Sequence, residues 1–261
     1  MIVAHSIASI SRAVLDLFYP PTCPGCGKDV AEEPDLICHD CWHQLSYLSG
    51  PFCRTCGYPT QDPVAPPRCD QCPSPSVAFD KCRSVVAYCA TMRQILHAYK
   101  FDGRRRLSRP LSRLLLWGYH RYYAGEVFDA VVPVPLHPSR LREREFNQAT
   151  EMLRHLQKEA GLPLGETIAR RVRATVPQST LPGPERHANV AGAFEVNEDS
   201  LVRDRRILVV DDMLTTGNTV LEISRVLKKH GARFVAVLTV CRNIAGVGGS
   251  QRAPAPMDSE P

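Results

Sequence analysis

Two groups of residues in this chain have types and spacings suited to chemistry. The first is four CxxC pairs, Cys23/Cys26, Cys38/Cys41, Cys53/Cys56 and Cys69/Cys72, separated in turn by 11, 11 and 12 residues. A CxxC turn sets two thiolates along one edge of a tetrahedron. Two such turns complete a four-sulfur zinc site with no position left for a catalytic water. The eight cysteines therefore imply two structural Zn²⁺ ions. Sequential pairing, 23/26 with 38/41 and 53/56 with 69/72, is the simplest scheme; an interleaved cross-brace is the alternative. His39 and His43 flank ligands and are read as supporting or surface groups. Cys82, Cys89 and Cys241 lie in or beside apolar runs and are read as core thiols.

The second group is Ile207–Val220, ILVVDDMLTTGNTV. Four consecutive apolar residues predict a buried strand, and Asp211 and Asp212 follow at its carboxyl end, where ligands bind in open α/β sheets. The turn through Met213, Leu214, Thr215, Thr216, Gly217, Asn218 and Thr219 offers hydroxyl and amide donors. Its glycine permits close approach, and the unpaired N–H groups of the helix that follows favour a phosphate. Two carboxylates beside a phosphate nest repel it unless they have other work, such as binding a sugar diol or holding Mg²⁺. Neither a Walker motif nor a dinucleotide fingerprint is present.

These residues need elements to position them. Ser84–Ala90 reads as a strand, Thr91–Lys100 as a helix stopped near Gly103, and Ser108–Tyr123 as a longer helix with a strong apolar face. Phe128–Leu136 is an almost wholly apolar, Val-rich run, which suits a parallel strand buried on both faces. A basic loop and a helix over residues 147–160 come next, then a polar loop or ribbon from Ala174 to Gly192. Thr219–Gly231 reads as a helix and Arg233–Arg242 as a third buried strand. Strands alternating with helices mark an α/β fold with a mostly parallel sheet. The expected organisation is a helix over residues 1–20, a zinc module over 21–76, an α/β domain over 79–244 and a disordered tail over 245–261.

Charge is unevenly divided. Residues 1–92 carry 6 basic and 9 acidic side chains, and residues 93–261 carry 26 and 18, a net +8. A basic second domain suits nucleic acid or a phosphorylated small molecule. No run approaches the ~20 apolar residues of a membrane span. An odd count of 11 cysteines in metal-type spacing fits a reducing cytoplasm better than a secreted disulfide scaffold.

Residues 207–219 resemble the signature of type I phosphoribosyltransferases, which bind phosphoribosyl pyrophosphate (PRPP). The resemblance implies that Asp211 and Asp212 contact the ribose hydroxyls, that Met213 to Thr219 hold the 5′-phosphate, and that Mg²⁺ accompanies PRPP. The rest of the chain resembles the narrower competence protein F family. The cysteine module, His97–Leu107, Val132–Ala149 and Pro177–Phe194 carry that likeness. The family usually has a glycine before the Phe-Asn-Gln triplet, where this chain has Glu145. By resemblance, Pro135 and Leu136 belong to a pyrophosphate-receiving turn, with Arg140, Arg144, Asn147 and Gln148 beside it and Lys100 in reach. Gln178, Arg186 and Asn189 belong to a mobile lid, where Arg186 neutralises the leaving pyrophosphate.

Two function classes follow. One is a transferase that moves the phosphoribosyl group to a nitrogen nucleophile. The other is a factor for DNA uptake or another nucleic-acid process, with single-stranded DNA or a helicase-like protein as partner and PRPP as a possible regulator. The zinc module argues against binding DNA through its own surface, because residues 21–76 carry 3 basic and 7 acidic side chains.

Overall fold

The structure, a computed structural model, describes residues 21–31, 36–62, 64, 66–74, 76–175 and 189–244. The helix expected over residues 1–20 and the tail expected over 245–261 lie outside the described residues. The chain runs through α1 (His39–His43), β1 (Lys81–Ala87), α2 (Ala90–Phe101), α3 (Ser108–Tyr123), β2 (Ala130–Pro133), α4 (Pro138–Arg144), α5 (Gln148–Ala160), β3 (Ala169–Arg171), β4 (Phe194–Val196), β5 (Arg206–Leu214), α6 (Asn218–Lys229) and β6 (Phe234–Arg242).

Four strands form one parallel sheet in the order β1-β6-β5-β2. Successive side chains on a strand point to opposite faces, and the core divides accordingly. Leu208 and Val210 of β5 pack with Leu111, Leu115, Met152 and Leu156 of α3 and α5. Ile207 and Val209 pack instead with Val220, Ile223 and Leu227 of α6. The continuous apolar runs thus meet helices on both faces. β3 and β4 form a separate antiparallel ribbon, and its β4 strand packs beside α6.

The strand expected at Ser84–Ala90 starts earlier, at Lys81, and ends at Ala87. Lys81 and Arg83 hide it from an apolar scan. Their cations are used locally, Lys81 Nζ on Glu126 at 2.8 Å and Arg83 on the Cys82 carbonyl at 2.7 Å. The Phe128–Leu136 run pairs only over Ala130–Pro133. The basic loop is a correction, because residues 138–144 are helical. Pro138 sits in the first turn and His137 caps it, Nδ1 accepting from the Ser139 N–H at 3.3 Å. Glu145 ends the helix in the left-handed region, φ 64°.

The cysteine-rich segment is fastened to the sheet. Tyr47 bridges Val86 antiparallel, with Leu48 N–H donating to the Val85 carbonyl at 2.9 Å and Ala87 N–H to the Ser46 carbonyl at 2.8 Å. This covers the open edge of β1. Nearer the site, Cys82 N–H donates to the Thr55 carbonyl at 2.7 Å. Gly57 there has φ 68°, and a Cβ would fall 2.2 Å from the Cys82 carbonyl oxygen, so only glycine fits. Among the described residues, no helix is long and apolar enough to cross a membrane.

Candidate functional site

The cysteines group sequentially: Cys23, Cys26, Cys38 and Cys41 in one cluster, and Cys53, Cys56, Cys69 and Cys72 in the other, with the sulfurs of each cluster within 4.8 Å of one another. Sγ separations of 3.5 Å (Cys26–Cys38 and Cys56–Cys69) and 3.8 Å (Cys53–Cys72) fit zinc. A tetrahedron with Zn–S near 2.3 Å has edges of about 3.8 Å. The cross-brace alternative is therefore set aside. Burial opposes ionisation of Cys23, but the N–H groups of Cys38, Gly25 and Cys26 outweigh it and bring the thiol down to about 7. Cys53 is likewise drawn to about 7 against burial, by donors that include the Cys56 and Thr55 N–H groups. Cys82 and Cys241 are fully buried, as core thiols should be, while Cys89 is half-buried. His39 and His43 face each other at 2.8 Å between their Nε2 atoms, outside the sulfur cluster.

The second site forms where two strands stop pairing. β2 accompanies β5 only as far as Pro133 opposite Val210. β5 continues to Leu214, paired with β6 alone. Asp211 and Asp212 thus stand in the strand, as expected of Ile207–Asp212, beside the crevice that β2 leaves open. Strand alternation sends the two carboxylates different ways. Asp212 is buried and makes an ion pair with Lys100 at the end of α2. Burial alone would lower the Lys100 pKa, but the Asp212 carboxylate more than compensates and raises it. Asp211 is half-exposed; desolvation, reinforced by the neighbouring Asp212 charge, pushes its carboxyl up to about 8.

Two arginines complete the charge balance. Arg144, on the last turn of α4, lies over the Phe101 ring at 5.0 Å and donates to Gln148 Oε1 at 3.2 Å. Burial lowers its pKa, while the Asp212 charge counters that. Arg171, at the end of β3, lies over the Phe194 ring at 5.2 Å; burial lowers its pKa too, and the Asp211 carboxylate acts against it. The Nε atoms of both are buried without a hydrogen-bond partner among the described residues. Sequence reasoning passed over Arg171. Its one signal was the Arg-rich run just before the polar stretch that begins at Ala174.

Other sequence-derived candidates take quieter positions. Arg140 pairs with Glu143 on its own helix at 2.8 Å. Asn147 caps α5, its Oδ1 accepting from Ala149 N–H at 3.0 Å, while its Nδ2 donates to the Val134 carbonyl at 3.0 Å. It thereby ties the helix to the turn carrying Pro135 and Leu136, both half-buried. Gln148 is buried, and its carbonyl receives the Tyr99 hydroxyl at 2.9 Å. Leu214 is buried and Met213 half-buried, so they anchor the turn. Thr215 is exposed, and Thr216 and Thr219 are half-buried. Gly217, φ 82°, precedes α6, and a Cβ there would lie 3.0 Å from Pro73 Cβ, one residue past the last cysteine ligand. Asn189 offers its carbonyl to Arg173 at 3.0 Å. Gln178 and Arg186 lie outside the described residues.

Comparison with known proteins fits this division. A family model described as a double zinc ribbon domain matches residues 14–73, and one described as a phosphoribosyl transferase domain matches residues 146–255. Competence protein F of Haemophilus influenzae is 28% identical over 230 residues, 86% of this chain and 98% of its own. DNA utilization protein YhgH of Salmonella typhimurium is 33% identical over 231 residues, 87% of this chain and 100% of its own. Among solved structures, an allosteric regulatory enzyme of purine biosynthesis is similar over 55% of this chain, at 18% identity and a TM-score of 0.36; the match spans 29% of that longer chain. The protein belongs to the competence protein F family, joining a double zinc ribbon with two four-cysteine zinc sites to a domain of the type I phosphoribosyltransferase fold.

Proposed function

We propose that the crevice at the end of β5 binds PRPP together with Mg²⁺. One observation carries this reading: an aspartate pair, with Asp212 ion-paired to Lys100 and the charges of Arg144 and Arg171 near enough to act on it, stands directly before a glycine-initiated helix start. The turn Met213–Thr219 takes the 5′-phosphate on its N–H and hydroxyl groups. Asp211 and Asp212 accept hydrogen bonds from the ribose diol. Lys100 then turns from Asp212 toward the pyrophosphate, which Arg144 and Arg171 flank with their unused donors. The lid roles of Gln178, Arg186 and Asn189 belong to the same reading. So does transfer to a nitrogen nucleophile, in which the nitrogen lone pair forms the bond to ribose C1 and pyrophosphate departs with the electrons of the bond it leaves. Mg²⁺ would neutralise the leaving pyrophosphate. Positioning and charge compensation are what this chain's residues supply.

Calorimetry tests it. PRPP with Mg²⁺ should bind the full chain, and Asp211→Asn with Asp212→Asn should abolish binding; unchanged affinity in that double variant sinks the assignment. Pyrophosphate release that requires an added amine acceptor would mark a transferase, and tight binding without release a PRPP-sensing protein.

A second reading, association with nucleic acid in a cytoplasmic DNA-handling process, is favoured by the net +8 of residues 93–261 and by the DNA-utilization name of relatives. Single-stranded DNA, or a helicase-like protein that handles it, is the partner in this reading.

A further inference from the structure

Outside the crevice, the most unusual surface is the outer face of α3 and the short 3₁₀ turn before it, Arg105–Leu107. Arg106, Arg109, Arg113, Trp117 and Arg121 follow one another at intervals of three, four, four and four residues. That spacing keeps them on one side of a helix. Two adjoining grooves, of about 390 and 640 Å³, run along this side and share Arg109. Arg105, Arg106, Arg109, Arg113 and Arg121 are exposed, and Trp117 is half-buried at the wall of the larger groove.

The balance of charge along the stripe is one-sided. Among the described residues, Glu151 and Glu159 are the carboxylates in the two linings. Glu151 is already engaged by Arg105 and Arg154, each at 3.2 Å. Among the described residues, Arg106 and Arg109 have no acidic partner. From Arg109 to Arg121 the helix rises about 18 Å, at ~1.5 Å per residue. Over that length an extended single strand presents a few successive phosphates to the arginines. Phosphate contacts tolerate any sequence, and an aromatic side chain beside them gives a base a face to stack on.

We propose that the Arg106–Arg121 face of α3 is a binding surface for single-stranded nucleic acid, the arginines following the phosphates and Trp117 meeting a base. This rests on the nucleic-acid reading above and locates it. It is independent of the PRPP site, which lies at the strand ends and uses none of these side chains.

The test uses the full-length zinc-loaded chain, a fluorescent oligo-dT and its oligo-U equivalent, and a salt titration. Single strands should bind with a log–log salt slope of about −0.7 per phosphate contact. Arg106→Glu with Arg109→Glu should weaken binding at least about tenfold and flatten the slope by about 1.4. Arg121→Glu should weaken it separately. The double variant Arg203→Glu with Arg233→Glu makes the same charge change on exposed residues elsewhere and should have little effect. In a Trp42→Phe background only Trp117 reports, and its emission should be quenched on binding. No detectable binding by the unmodified chain would overturn the nucleic-acid reading itself. Binding with normal affinity and slope in the Arg106/Arg109 variant would overturn only this surface. Equal loss in the control variant would show charge without a site, which also overturns it.

Discussion

At the scale of single residues, the site is governed by Asp211. Its carboxyl is raised to about 8 because desolvation and the Asp212 charge both oppose ionisation. An unfolded aspartate titrates near 3.9. Between roughly pH 4 and 8, then, the folded chain holds a proton the unfolded chain has lost, and this group makes stability fall as pH rises through that window. In the proposed complex the ribose hydroxyls use this carboxylate as acceptor, so protonation would compete with ligand. PRPP affinity should rise about tenfold per pH unit below 8 and level off above it. Calorimetry at pH 7 in buffers of different ionisation enthalpy should find close to one proton released per PRPP bound. A flat affinity from pH 6 to 8 with no proton release would remove Asp211 from the diol. The aspartate pair was legible in the sequence as a motif. Lys100 was expected within reach of a phosphate, but its pairing with Asp212 and the part played by Arg171 were not legible, because α2 and β3 bring them from far away in sequence and no local pattern records that meeting.

At the scale of elements, long periodic segments were readable and charged short ones were not. The helix Ser108–Tyr123 was expected with the bounds it has. By contrast, residues 138–144 carry arginines at alternate positions with almost no apolar face, a pattern that reads as a loop. Pro138 and the His137 cap, not periodicity, start that helix. Its end explains the departure noted at Glu145. That residue must adopt φ 64°, a left-handed conformation that costs a non-glycine residue about 1–2 kcal/mol. Glycine avoids that cost but has more freedom to lose on folding. Glu145→Gly should therefore stabilise the chain by a net of about 0.5–1 kcal/mol. Chemical denaturation would show this as a higher midpoint at unchanged slope, and a lower midpoint would mean that Glu145 makes a contact worth more than the strain. The reach of β5 past Asp212 was missed for a related reason. Polar residues usually close a strand, but here β6 keeps pairing as far as Leu214 opposite Arg242.

At the scale of the whole molecule, the second zinc ribbon and the proposed phosphate turn form one structure. Pro73, next to the ligand Cys72, packs so closely on Gly217 that a Cβ could be added only at 3.0 Å from it. Arg242, at the end of β6 opposite Leu214, donates to the Cys56 carbonyl at 2.6 Å and lies 5.0 Å over the Tyr58 ring. A hydrogen bond from a charged group to a buried carbonyl contributes about 1.5–3 kcal/mol. The metal therefore holds the knuckle that, through Pro73 and Arg242, holds the turn. The first ribbon has no such contact among the described residues; it fastens to α2, where Thr91 Oγ1 donates to Gln44 Oε1 at 3.0 Å, and to Arg104, which donates to the Thr22 carbonyl at 2.7 Å. Three variants separate these roles. Cys69→Ser with Cys72→Ser should reduce zinc from about two ions per chain to one and weaken PRPP binding at least about tenfold, since losing the buttress amounts to roughly the 1.4 kcal/mol that such a factor represents. Cys23→Ser with Cys26→Ser should also leave about one zinc but change PRPP affinity far less. Arg242→Met should resemble the first variant in PRPP affinity while keeping both metals, which separates the buttress from the ion. If both cysteine variants lose PRPP binding equally, the zincs act only on global folding, and the contact between Pro73 and Gly217 is packing without consequence for the site.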